Sequence, residues 1–229
     1  MLWVGPLRQD PGYHDFADQR TMLGIPNFLD VVSNLPFLIV GLAGVVLCFV
    51  NRDMKFRIGW LTLFAGVTMV SAGSAWYHLS PNDETLVWDR LPMTIGFMGL
   101  FVALLGEYAG ARLGRLLLAP AVLLGSASVL YWHWFDDLRW YVWIQVVPLL
   151  TILAVMILFR PRYTHQWVLL VAFGFYVLAK ISEFHDHEVF AFSGDLFSGH
   201  TLKHLLAAAG CCLVLVMLKV RTPIADESS

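Results

Sequence analysis

The chain has 229 residues, 58% of them hydrophobic and 14% charged, and its mean hydropathy is +0.67. Soluble domains carry about 25% charged residues, so this balance excludes disorder and argues against an ordinary cytosolic enzyme. With 15 Lys+Arg against 17 Asp+Glu, nucleic-acid binding through a basic face is excluded too. A polytopic membrane protein remains, with its chemistry among the helices or at their ends.

Residues 1–29 form a polar, turn-rich tail with Pro6, Pro11, Gly12 and Pro26. The tail lacks the basic-then-apolar pattern of a cleaved signal, so the first span is expected to serve for insertion. Apolar runs follow at 31–50, 58–79, 86–106, 116–134, 140–159, 166–184 and 200–219. Each suits one membrane helix of about 20 residues. The expected fold is all-α: a single seven-transmembrane helix bundle over 1–229, with an outer tail (1–29) and a cytoplasmic tail (221–229). Cys48, Cys211 and Cys212 lie in apolar runs without zinc spacing and read as small buried hydrophobes.

Orientation follows from Lys and Arg, which stay cytoplasmic. Loops after spans one, three and five and the C-tail carry Arg52, Lys55, Arg57, Arg112, Arg115, Arg160, Arg162, Lys219 and Arg221, nine in all. The opposite side carries four: Arg8, Arg20, Arg90 and Arg139. The N-terminus is therefore expected outside and the C-terminus in the cytoplasm. Trp76, Tyr77, Trp88, Trp132, Trp134, Trp140 and Tyr141 fall at the outer ends and read as an interfacial belt.

Ionisable residues within a span are costly and are functional candidates by default. Ser74 and His78 lie one turn apart near the end of span two, and His200 and His204 one turn apart at the start of span seven. Asp89 opens span three. The topology brings all five to one depth at the outer face. Three histidines with an open fourth position make a catalytic zinc site, and zinc lowers the pKa of bound water towards ~7. Asp89 is the candidate proton acceptor and Ser74 the candidate oxyanion donor. Taken singly, each residue reads more simply as an interfacial polar group.

These residues also resemble a known family. Ser74-Ala75-Trp76-Tyr77-His78, then Asp89 in Trp88-Asp89-Arg90-Leu91-Pro92-Met93, is similar to the central signature of the alkaline ceramidases. His200-Thr201-Leu202-Lys203-His204 and Asp30-Val31-Val32-Ser33-Asn34-Leu35-Pro36-Phe37 resemble their last- and first-helix motifs. The resemblance covers roughly residues 27–210 and extends to a wider superfamily of seven-span hydrolases that includes adiponectin-type receptors. It implies zinc on His78, His200 and His204, assistance from Asp89 and Ser74, and cleavage of a ceramide-like membrane lipid to a fatty acid and a sphingoid base.

The resemblance weakens at the N-terminus, where an acidic, Trp-containing segment and a Glu before the first span hold calcium in the eukaryotic members. Here Asn27 stands where that Glu is expected, and only Asp15 and Asp18 remain as candidate oxygen ligands. A solvated tail packed over the bundle is the simpler reading, with calcium as the alternative.

Three features fall outside this scheme. Glu183-Phe184-His185-Asp186-His187-Glu188 reads mainly as a polar outer loop in which only pairs such as His185 and Glu188 share a face. Lys180 and Glu183 read as an intramembrane ion pair, or alternatively as the lining of a substrate cavity or proton path. Residues 132–137 read as an interfacial loop.

The rival functions are a lipid esterase or phospholipase on the same scaffold, a receptor-like protein with structural zinc closed by Asp89, and an ion or metal transporter using Lys180 and Glu183. Compact loops and the lack of a retention signal favour a bacterial inner membrane.

Overall fold

The computed structural model describes residues 5–224. The chain forms helices throughout: a 3-10 turn (Pro11–His14), then α1 (Phe28–Val32), α2 (Leu35–Val50), α3 (Arg57–Leu79), α4 (Asp83–Tyr108), α5 (Ala111–Phe135), α6 (Arg139–Leu158), α7 (Val168–Phe184), α8 (Asp186–Phe192) and α9 (Gly199–Val220). Among the described residues, six segments are long and apolar enough to cross a membrane, with α1 and α2 together counted as one. A seventh is obtained if α7 and α8, bent by 85° at their junction, count as one span. The protein is thus an all-α, multi-pass membrane bundle, as the apolar runs imply, and helix ends fall within a few residues of the expected limits.

Local chemistry sets the boundaries nearest the functional end. Asn82 opens α4 with a reciprocal capping box: its side chain accepts from Thr85 N, and the Asn82 amide donates to Thr85 Oγ1. Ser198 caps α9, accepting from Thr201 N at 3.0 Å. Small residues then let the helices approach closely. A Cβ at Gly73 of α3 would lie 2.0 Å from the Trp88 carbonyl oxygen of α4. One at Gly199 would lie 2.1 Å from the Ser182 carbonyl oxygen. The first glycine seats α3 against α4, the pair with the most extensive contact; the second seats the start of α9 in the α7–α8 bend. By contrast, α6 and α7 barely touch.

The aromatic belt needs correcting. Trp76, Trp88, Trp134 and Trp140 are exposed, as interfacial anchors should be. Tyr77, Trp132 and Tyr141 are buried. Tyr77 packs against Phe16. For Trp132 and Tyr141 the reason is Arg90, also buried, whose guanidinium lies 4.0 Å from the Trp132 ring and 4.8 Å from that of Tyr141. Those rings enclose a cation inside the bundle. Residues 132–135 accordingly complete α5, and only the short segment after it is a loop.

Candidate functional site

The C-terminal turn of α3 and the first two turns of α9 meet at one end of the bundle and bring His78, His200 and His204 together. One ring nitrogen from each lies within 4.8 Å of the others. The ring centroids form a nearly equilateral triangle with sides of 4.8, 4.9 and 5.0 Å. All three are buried. Neither nitrogen of His78 has a hydrogen-bond partner. A buried polar group left unpaired is costly, so these orphaned nitrogens, converging with two more imidazoles, fit a metal ion.

Neighbouring residues orient the rings. Ser33 Oγ donates to the Asp30 carbonyl (3.1 Å) and lies 2.8 Å from His204 Nδ1. With its proton committed, the hydroxyl accepts from Nδ1–H, which leaves Nε2 of His204 as the free base. The Asn27 side-chain amide donates to the His78 carbonyl at 2.8 Å. The His200 amide donates to Asp186 Oδ1 at 2.7 Å, and Asp186 Oδ2 accepts from Ala17 N. The fully buried Asp30 carboxylate accepts from Thr201 Oγ1 at 2.6 Å and thereby ties α1 to α9.

Ser74 stands one helix turn before His78 on α3, and Asp89 lies in the second turn of α4; both are buried. Together with His204 and Lys203 they line the polar head of a cavity that is otherwise apolar. Its walls continue along three helices, to Leu63 on α3, Leu100 on α4 and Val214 on α9. At about 1.5 Å of rise per residue, each wall runs roughly 15 Å into the bundle. The cavity is thus a long apolar slot with Ser74, Asp89, Lys203 and His204 at its head.

The N-terminal segment closes this end towards solvent. Phe16, buried, packs its ring centroid 4.8 Å from that of His78 and 4.5 Å from that of His200. Tyr13 donates to Glu183 Oε1 (3.1 Å), and His14 hydrogen-bonds Tyr77 Oη (2.8 Å). Leu7 N donates to Asp137, whose carboxyl is held down at about 2 by its Arg139 hydrogen bonds. A tail packed over the bundle describes the segment better than a freely solvated one. Burial alone would raise the Asp18 carboxyl, but two 2.7 Å bonds from the Arg20 guanidinium hold it below the usual carboxylate range. Asp15 accepts from Gln19. Asp18 is thus already paired with a cation, and Asn27 clasps His78.

The acidic stretch after α7 is divided among several tasks. Asp186 fixes the His200 backbone, and His187 Nε2 lies 3.2 Å from the Asp15 carbonyl oxygen. His185 faces Glu188 at 3.7 Å. Among the described residues, the His78–His200–His204 group alone brings three metal-ligating side chains to one point.

Residues 21–189 match the family model described as Ceramidase. The chain belongs to the ceramidase family. The match spans Ser74, His78 and Asp89 and ends before α9, so His200 and His204 join the site through the geometry above. No individually curated protein is similar enough to match. Family membership places the chain among hydrolases of ceramide's amide bond.

Several residues of this ceramidase-family site escaped sequence reasoning. Lys203 was legible as a charge inside a span, but its partner lies on another helix. Phe16 and Asn27 sit in a segment without periodicity, and nothing in the sequence marks them as neighbours of the histidines.

Proposed function

We propose that the protein is a zinc-dependent intramembrane hydrolase that cleaves the amide bond of ceramide-like lipids. The observation that carries this reading is the convergence of three buried imidazoles, two nitrogens of them orphaned, at the mouth of an apolar slot that also presents Asp89 and Ser74. His78, His200 and His204 would hold the zinc, which when bound supplies Lewis acidity and lowers the pKa of water towards ~7.

The chain's own residues do the rest. The slot takes one acyl chain and brings the amide carbonyl to Ser74, whose hydroxyl donates to the carbonyl oxygen as negative charge develops there. Asp89 accepts a proton from the attacking water. The water oxygen bonds to the acyl carbon, the C–N bond breaks, and Asp89 passes first its proton and then the new acid's remaining proton to the leaving nitrogen. A fatty-acid carboxylate and a protonated sphingoid amine result. Ser33 and Asn27 keep the imidazoles in place, and Phe16 excludes bulk water from the site.

The substrate arrives from the membrane. The Phe16 cover obstructs the solvent route, whereas the loosely packed α6–α7 seam opens sideways beside the slot. The nine-to-four Lys/Arg distribution supports a histidine end facing outwards, in keeping with a bacterial inner membrane.

The test is lipid mass spectrometry after incubation with paired substrates that share acyl chains, one amide-linked and one ester-linked. Release of fatty acid and sphingoid base from the amide, dependent on zinc, is expected. Hydrolysis of the ester alone would make the protein a lipid esterase. Full zinc occupancy without either product would leave a structural metal.

A further inference from the structure

Hydrolysis of a neutral amide creates a carboxylate where none existed, at the head of an apolar slot. An unpaired carboxylate in such surroundings is costly. Zinc on the histidines would hold that carboxylate as it forms, but a carboxylate leaving the metal must cross apolar surroundings. Two lysines beside the site are left over, and their placement answers this need.

Lys203, one turn beyond His200, lines the reactive head of the cavity beside Ser74, Asp89 and His204. Its side chain is 13% exposed, and its Nζ lies 2.7 Å from Glu183 Oε1 and 3.3 Å from His200 Nε2. The other oxygen of Glu183 pairs with Lys180. Lys180, half exposed, faces a second hollow between α6 and α7. Leu149, Phe173 and Tyr176 line both hollows, so the two adjoin at the seam with these side chains between them. A single carboxylate thus serves two ammonium groups, one inside the cavity and one at its lateral mouth. Asp89, the acid that lines the cavity, is occupied with proton transfer.

We propose that Lys203 and Lys180 form a two-station carboxylate site for the fatty-acid product. Lys203 receives the carboxylate as it leaves the metal, and Lys180 draws it out through the α6–α7 seam, with Glu183 neutralising whichever lysine is unoccupied. The assignment rests on the hydrolase reading but concerns a different property: a preference for a long-chain anion over an uncharged chain of the same length.

The experiment measures binding of a long-chain fatty acid and of the primary alcohol of equal length to purified, zinc-loaded protein in nanodiscs. Lys203→Gln should weaken fatty-acid binding by about tenfold or more. Alcohol binding should change by less than about twofold, with zinc content and melting temperature held. Lys203→Arg should recover most of the loss. If Lys203→Gln leaves Glu183 too exposed to fold, the Glu183→Gln/Lys203→Gln double variant removes both charges and should show the same selective loss. Lys180→Gln should slow fatty-acid release several-fold with a smaller change in affinity.

Acid and alcohol binding that fall together, or neither falling, would overturn the assignment. The outcomes stay separable from those of the parent reading. Ceramide turnover with lysine-independent acid binding defeats this inference alone, whereas lysine-dependent acid binding without any turnover defeats the hydrolase reading alone.

Discussion

Both ends of the bundle bury charge, and they treat it in opposite ways. At the end remote from the histidines, Glu107 is buried at the close of α4 and fully engaged. Trp60 Nε1 donates to it at 2.7 Å, the Arg221 guanidinium pairs with both its oxygens, and Arg162 donates to its carbonyl at 2.7 Å. At the histidine end, partners run out. Among the described residues, six buried side-chain atoms lack a hydrogen-bond partner, and five are here: Asp30 Oδ2, Asn34 Oδ1, Arg90 Nη1 and both nitrogens of His78. A satisfied buried ion pair holds α3, α4 and α9 together. An unsatisfied cluster is what a fold retains where something else must bind.

Variants should separate the two ends, since changes at one alter chemistry and changes at the other alter stability. Among variants that keep the zinc, the largest catalytic effect is expected from Asp89→Asn, which keeps the size of the side chain but cannot accept a proton. Turnover should fall 10²–10⁴-fold, about 3–5 kcal/mol in barrier, with zinc retained. Loss of zinc together with activity would make Asp89 a ligand. At the other end, Arg221→Met strands the Glu107 carboxylate and should cost about 3–5 kcal/mol of stability, with turnover per folded molecule unchanged. The Glu107→Gln/Arg221→Met double variant should recover much of this. Denaturant unfolding alongside activity decides the matter, and a catalytic defect in folded Arg221→Met protein would break the contrast.

Smaller effects sharpen it. Ser74→Ala should lose about 10–10³-fold in turnover if its hydroxyl stabilises the developing oxyanion. Ser33→Ala frees His204 Nδ1 and should weaken zinc affinity by about 10–100-fold, measurable by chelator competition. The mildest effect concerns the tail. The Asp137 carboxyl is depressed to about 2 by its Arg139 hydrogen bonds, so its hold on the Leu7 amide is complete above about pH 4. That hold should vanish as pH falls through 2. Hydrogen exchange at Leu7, corrected for intrinsic rate, should show protection at pH 5, and its absence there would remove Asp137 as the anchor.

Much of this was legible in the sequence, for identifiable reasons. Membrane helices announce themselves by length and apolarity, and the pairs Ser74–His78 and His200–His204 by one-turn spacing. Alternating topology then places α3, α4 and α9 ends at a common depth without any knowledge of packing. What stayed hidden depends on neighbours that sequence separation conceals. Tyr77, Trp132 and Tyr141 resemble interfacial anchors in one dimension; Arg90 draws the latter two inwards around a cation, and Tyr77 is buried with Phe16 at the tail contact. Lys180 and Glu183 read as a closed pair until Lys203, twenty residues further on, proves to share the same carboxylate. The break between α7 and α8 leaves no proline or glycine to mark it, since the chain turns at His185.

The central claim is that the three imidazoles hold a metal on which hydrolysis depends. Metal analysis of the purified protein and of His78→Ala and His200→Ala/His204→Ala variants tests it most directly, with the same samples assayed on ceramide. About one zinc per chain is expected in the parent protein, and both variants should lose zinc and turnover together, because three ligands leave no redundancy. Full zinc retention in the double variant, or undiminished ceramide cleavage without zinc, would contradict the account.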